Sequence, residues 1–316
     1  MKKQKNISIN KSLRDVFGEQ LVTLGKKYKN LICVSPDLKQ ATKLDLFFQK
    51  FPERSIECGI AEANAIGISS GLALSGFKVV VASFGSFISG KNIEIRNSIA
   101  QNNSKVVIVG THGGLIGPDG PSQAGLQDIS VMRSIPNFSV FQPSSPYETI
   151  SILDYVFKFD IAPCYIRISR EGRGELHKSV PTFGSGKIFN ILKNYKNCCI
   201  VSSGPIALNA YKAIKSLNIK GIGLVTVPSI KPINLKDLKK LALNTKLIIT
   251  IEDHNIMGGL GSAINEAVLN LNLKSNPRII NYGINDIFTQ SDKVENLYKA
   301  YQLDTESIKN LILKNI

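Results

Sequence analysis

The chain reads as an α/β protein of two domains, each a mainly parallel sheet wrapped by helices. Three observations lead there. Short apolar β-type runs alternate with stretches of helical periodicity along most of the length. The alternation stops once, in a Gly-, Arg-, Pro- and Ser-rich stretch from 170 to 187, and then resumes. The 316 residues also suffice for two cores of ordinary size. Strands that alternate with helices pair in parallel, because each crossover helix covers the face of the sheet it returns to. The linker composition puts a boundary near residue 185, giving domains 1–185 and 186–316.

The first helix is fixed by Ser12 followed by Asp15, an N-terminal capping pattern, and by Leu13, Val16, Phe17, Leu21 and Leu24 at helical spacing. β-type runs follow at 31–34, 56–58, 79–82, 106–109, 139–141 and 165–168. Helical stretches at 63–74, closed by Gly76, and at 146–157, opened by Pro146, separate several of them. Beyond the linker come a strand at 198–201, a helix at 207–217, strands at 223–227 and 247–251, a helix at 261–269 and a strand at 278–281.

Bulk properties exclude several functions. The Met-Lys-Lys start leads into polar residues without an apolar core of signal-peptide length, and no run of about 18 apolar residues occurs. Export and membrane insertion are therefore not expected. The five cysteines, Cys33, Cys58, Cys164, Cys198 and Cys199, lack C-x-x-C spacing and read as buried thiols of a cytoplasmic protein. His112, His177 and His254 are the only histidines, so no metal cluster is visible. A net charge of +15 raises a nucleic-acid hypothesis. The lysines, however, are scattered over both halves with no interleaved aromatic residues, unlike a stacking groove. Attraction of phosphorylated sugars or of an acidic partner is the plainer use.

The chemistry concentrates between Glu57 and Asp128. ECGIAEAN (57 to 64) places Glu62 after a short strand at the start of a helix of small residues. SFGSFISG (83 to 90) places Phe84 and Phe87 three residues apart after the next strand, and THGGLIGPDGPSQAG (111 to 125) follows as a Gly- and Asp-rich loop. Strand ends of an open α/β sheet are where ligands bind. Such residues suit a planar nitrogen heterocycle held against aromatic rings and touched at one edge by a carboxyl group.

This succession resembles the C-terminal part of transketolases, thiamine-diphosphate enzymes that move a two-carbon ketol unit between sugars, and most closely those made as two chains. SLRDVFGEQL (12 to 21), VSPDL (34 to 38), VTVPSIKP (225 to 232), TIEDHNIMGGLGSAINE (250 to 266) and YGINDIF (282 to 288) extend the likeness over nearly the whole chain. The resemblance implies a pyrimidine-binding domain followed by the family's C-terminal domain. It makes Glu62 the acid that donates to N1′ of the cofactor's aminopyrimidine, a role that needs a carboxyl which keeps or shares its proton. Burial favours that state, whereas a helix N-terminus favours the anion. It makes Phe84 and Phe87 the aromatic wall of the pyrimidine, with Gly90 where some members carry a third ring. It also places Asp37 near the cofactor, and His112, Asp119, Arg170 and Arg14 around the substrate, where arginines suit a sugar phosphate.

The chain departs from the family in that loop. The usual Gly-Glu-Asp-Gly-x-Thr/Ser-His is Gly117-Pro118-Asp119-Gly120-Pro121-Ser122-Gln123 here. Gln123 can hydrogen-bond to substrate but cannot hold a proton near neutral pH. A family serine after Asp37 is Ala41. The Gly-Asp-Gly segment that holds the diphosphate and its Mg²⁺ is missing. The resemblance therefore implies a separate N-terminal diphosphate-binding subunit that binds the Mg²⁺, shares the thiamine diphosphate and forms an α2β2 assembly. Rival expectations are the β chain of a 2-oxoacid dehydrogenase and a non-catalytic scaffolding subunit. Retention of Glu62 with both phenylalanines argues against the scaffold. Ser202-Ser203-Gly204 and Glu252-Asp253-His254 satisfy no phosphate-loop pattern and read as structural.

Overall fold

The computed structural model describes residues 11–170 and 174–316. Its strands are β1 (Leu31–Ser35), β2 (Ser55–Glu57), β3 (Lys78–Phe84), β4 (Val106–Thr111), β5 (Ser139–Phe141), β6 (Cys164–Arg167), β7 (Phe189–Leu192), β8 (Cys198–Ser202), β9 (Ile222–Thr226), β10 (Ser229–Lys231), β11 (Leu247–Asn255) and β12 (Arg278–Ile284). They form a seven-stranded sheet in the order β10-β5-β6-β4-β3-β1-β2 and a five-stranded sheet in the order β12-β11-β8-β9-β7. All pairings are parallel except β10 with β5 and β7 with β9. The expected two mainly parallel sheets wrapped by helices are therefore present.

Local chemistry explains the helices. Ser12 accepts from the Asp15 amide at 3.2 Å and caps Leu13–Lys27, and Ser145 caps Pro146–Phe159 by accepting from the Glu148 amide. These two helices cover one face of the first sheet through a core that includes Phe17, Leu21, Val80, Val109, Ile152 and Val156. On the other face, Ala65 and Ile66 of helix Glu62–Leu74 join Val79, Ile108 and Val140 in a core that runs on into Val201, Val225 and Leu260 of the second half. Each such fully buried aliphatic or aromatic side chain contributes about 1.5–3 kcal/mol. No helix among the described residues is long and apolar enough to cross a membrane.

Two strands and several helices lie outside the sequence expectation. Leu235–Leu243, Val294–Ala300 and Thr305–Asn315 are helical. β7 is an antiparallel margin of the second sheet, and β10 leaves the second half of the chain to pair with β5 across Ser229↔Phe141. An unpaired sheet margin is a template for association; β10 covers that of β5 and leaves a shorter one in its place. Of the cysteines, Cys58 is only half-buried, since β2 ends at Glu57; the others are buried free thiols, as expected.

Gly110 on β4 illustrates how tightly the first sheet is filled, because a Cβ there would lie 1.9 Å from the Tyr165 hydroxyl. Gly110→Ala should destabilise the chain by about 1–3 kcal/mol, read as a lowered urea midpoint; an unchanged midpoint would contradict this packing.

Candidate active site

The topology puts the candidate residues at one rim. The chain passes from β1 outwards to β2 and then back across to β3, so the strand order reverses between β1 and β3. Ligands of open α/β sheets bind outside the carboxyl ends of the strands at such a reversal. Glu62 follows β2, Phe84 ends β3, His112 follows β4, and Arg170 lies three residues beyond the end of β6.

Glu62 occupies the first turn of helix Glu62–Leu74 and is half-buried. Ser83 Oγ donates to its Oε1 at 3.2 Å, and Oε2 has no hydrogen-bond partner among the described residues. Ser83 immediately precedes Phe84, so one strand end supplies both the orienting hydroxyl and the aromatic wall. The Phe84 and Phe87 rings stack with centroids 5.2 Å apart at 28°. The His112 imidazole also packs against Phe84, 3.7 Å between centroids. Phe84 is buried and Phe87 half-buried, so the outer ring is the one available to a ligand. Ser86 Oγ donates to the Gln123 carbonyl at 3.0 Å, which ties the short helix Gly85–Ser89 to the loop.

His112 has φ +59°, a left-handed conformation that costs an ordinary residue roughly 1–2 kcal/mol and that the loop around it enforces. Its Nδ1 is 3.0 Å from Thr111 Oγ1, and its Nε2 is 4.0 Å from Asp119 Oδ2. The same Asp119 oxygen accepts a hydrogen bond from Arg170 Nη1. Arg14 donates through Nε to the Arg170 carbonyl at 3.2 Å and through Nη1 to the Ala41 carbonyl at 2.6 Å. The structure thus brings Arg14, His112, Asp119 and Arg170 into one cluster. Burial, reinforced by the positive charges of Arg14 and Arg170, pushes the His112 pKa down to about 3. The imidazole is therefore neutral at physiological pH and offers one donor and one acceptor.

Asp37 stands apart. It is exposed, has φ +60°, and its amide donates to Glu57 Oε1 at 2.6 Å. None of its hydrogen bonds among the described residues reaches the other candidates. Gln123 reaches the site through its backbone carbonyl.

Sequence reasoning missed a buried ionic cluster directly beneath this rim. Arg167 is fully buried; its Nε lies 3.1 Å from both Asp128 carboxyl oxygens, and its Nη1 lies 2.9 Å from Asp253 Oδ1. The Tyr165 hydroxyl donates to Asp128 Oδ2 at 2.6 Å. Glu252 accepts from the amides of Leu260 and Gly261 at the start of helix Leu260–Leu269, and burial raises its pKa to about 7. Burial lowers the His254 pKa to about 4, reinforced by Arg167 and opposed by Asp128. The expectation that Glu252, Asp253 and His254 are structural agrees with these contacts. The only sequence signal for Arg167 was an arginine inside an otherwise apolar strand.

Comparison with known proteins places this geometry. The transketolase pyrimidine-binding domain model matches residues 10–173 and the transketolase C-terminal domain model matches residues 188–308. The chain belongs to the transketolase family. A protein described as a transketolase C-terminal section, from Methanocaldococcus jannaschii, is 37% identical over 314 residues, covering 98% of this chain and 97% of the relative. The 1-deoxy-D-xylulose-5-phosphate synthase of Clostridium tetani is 30% identical over 317 residues, and the chain spans 50% of that synthase. A solved split-gene transketolase, an inactive β4 tetramer, superimposes with a TM-score of 0.84 at 30% identity over 97% of this chain and 98% of that one. The Campylobacter jejuni transketolase shares the fold, with a TM-score of 0.81 at 22% identity over 96% of this chain and 47% of that one. Transketolase-family membership implies dependence on thiamine diphosphate.

The neutral state of His112 has a measurable consequence. Its folded pKa lies below the ordinary value, so the unfolded chain binds the extra proton and stability falls as pH drops through about 6.5. Glu252 acts with the opposite sign between its ordinary value and about 7, but equally in wild type and in a His112 variant. His112→Gln should therefore reduce the loss of stability between pH 7 and pH 5 by about 2 kcal/mol. Urea midpoints at the two pH values check this, and parallel losses in both proteins would contradict it.

Proposed function

We propose that this chain is the C-terminal, pyrimidine-binding subunit of a two-chain transketolase. In this reading it transfers a two-carbon ketol unit from a ketose or ketose phosphate to an aldose, and it works in the cytoplasm. The observation that carries the reading is the single rim on which the Glu62 carboxyl, the Phe84–Phe87 stack and the cluster of His112, Asp119, Arg170 and Arg14 meet. Thiamine diphosphate, when bound, supplies the carbanion stabilisation, and the protein supplies orientation and polarity.

The residues present fit one end of that cofactor. Glu62 has one oxygen oriented by Ser83 and the other without a hydrogen-bond partner among the described residues, which suits an acid that donates to a pyrimidine nitrogen. The half-buried face of Phe87 suits an offset ring contact. Further along the rim, Asp119 accepts from a substrate hydroxyl, the neutral His112 bonds a second one, and Arg14 and Arg170 attract a phosphate through fixed forks of donors. Asp37 lies two residues beyond β1 and is exposed, and we assign it to the cofactor side of the interface with the partner. Gln123 stands where the family has a histidine and contacts substrate as a neutral amide.

The diphosphate and Mg²⁺ are assigned to a separate N-terminal subunit, with two copies of each chain in the assembly. The description of the split-gene relative as an inactive β4 tetramer supports this. The likeness to the C. tetani synthase supports a second reading, in which the donor delivers a methyl ketone unit as a 1-deoxy product requires. Assaying the paired chains with a ketose donor and with pyruvate separates the two.

The lone chain with added thiamine diphosphate should give no ketol transfer, and the pair should give it. Glu62→Gln in the pair should lower kcat by about 100-fold or more while the gel-filtration profile stays unchanged. Turnover by the lone chain, or full activity of the variant, would remove these assignments.

A further inference from the structure

The substrate loop rests on the buried ionic cluster, and the contacts are specific. Arg167 Nη2 donates to the Gly125 carbonyl at 2.5 Å and to the Asp253 carbonyl at 3.1 Å. The Gly125 carbonyl also accepts from the Gly114 amide at 3.0 Å, and the Gly125 amide donates to the His112 carbonyl at 3.0 Å. The two ends of the loop that carries Asp119 are thus closed on each other by a bridge between Gly113 and Gly125, with Arg167 bonded to one side of it. Close packing completes the clamp. A Cβ at Gly113 would lie 2.7 Å from Arg167 Nε, and one at Gly114 would lie 2.2 Å from Asp253 Oδ2. The Phe84–Phe87 turn stands on the same cluster, since a Cβ at Gly85 would lie 3.0 Å from Asp128 Oδ2 and 2.9 Å from the Tyr165 hydroxyl.

Asp253 belongs to β11 in the second sheet, whereas Arg167 and Asp128 belong to the first half of the chain. We infer that Arg167 is a positioning residue of the site, through which Asp253 of the second domain fixes the loop bearing His112 and Asp119. The second domain then takes part in substrate binding as well as in assembly. Arg167 touches no substrate in this scheme. It sets the backbone of Gly125 and Gly113, and so the left-handed turn at His112 that aims the imidazole onto Phe84 and towards Asp119. A guanidinium is needed because three separate directions must be bonded at once, Asp128 through Nε, Asp253 through Nη1 and the Gly125 carbonyl through Nη2; a lysine ammonium on a flexible stem does not span them.

The functional half of this inference rests on the ketol-transfer reading, and the experiment has two arms. In the isolated chain, Arg167→Lys should speed amide hydrogen exchange at Gly114 and Gly125 at least tenfold while Ile108 and Val109 in β4 keep their protection. Unchanged exchange at the two glycines would overturn the clamp. In the two-chain complex, the same substitution should lower kcat/KM for the ketose donor at least tenfold, mainly through KM. Combined with a variant carrying both His112→Ala and Asp119→Ala it should cost no more than about twofold beyond that variant alone, the non-additivity expected of residues acting as one unit. Additive losses would overturn the positioning role, since a general loss of stability does not act through these two residues. Should Arg167→Lys fail to fold, Asp253→Asn, which keeps the shape and an oxygen for Nη1, carries both arms with smaller expected effects. A wild-type pair without ketol transfer would remove the proposed function and leave the exchange experiment to decide the clamp by itself.

Discussion

The guanidinium of Arg167, sealed between Asp128 and Asp253, is the contact on which the arrangement of this molecule turns. A charge with no access to water must be met on every side, because leaving one partner out strands an uncompensated ion at a cost of roughly 3–5 kcal/mol. Its neighbours obey that demand. Two carboxylates and two carbonyls converge on it, and Gly113 has no room for a side chain beside it. Since one carboxylate comes from each half of the chain, the requirement also ties the two sheets together. A continuous apolar core from Val79 to Leu260 reinforces the union.

Above that foundation the rim separates two kinds of environment. Around Glu62, Phe84 and Phe87 a ring stack meets one carboxyl group and the hydroxyl that orients it. Beside Arg14 and Arg170, burial first and their positive charges second keep His112 uncharged. Asp119 is held by Arg170 at the border between them. A flat heterocycle on one side and a polyhydroxylated anion on the other would each meet the chemistry that suits it.

Much of this was legible in the sequence, and the exceptions are physical. Helices with strong caps and amphipathic spacing, such as Leu13–Lys27 and Pro146–Phe159, announced themselves, as did the apolar β3 and β4. β10, three residues long with lysine at its end and proline on both flanks, carries too little pattern to be read locally and forms because a partner margin awaits it. Glu62, Phe84, Phe87 and His112 could be singled out because each sits in a short motif at a strand end. Arg167 and Asp253 were not, because their pairing spans 86 positions and neither has a local signature. Asp37 was singled out by its motif, and its positive φ and its amide bond to Glu57 also satisfy a turn after Pro36.

The crossing of β10 into the first sheet makes the linker a misleading place to cut. A fragment ending there would keep every strand of the first half but leave the flank of β5 bare, its amides and carbonyls facing solvent. Such a piece would be inclined to stick to its own kind, so the two sheets are best regarded as one folding unit joined through β10.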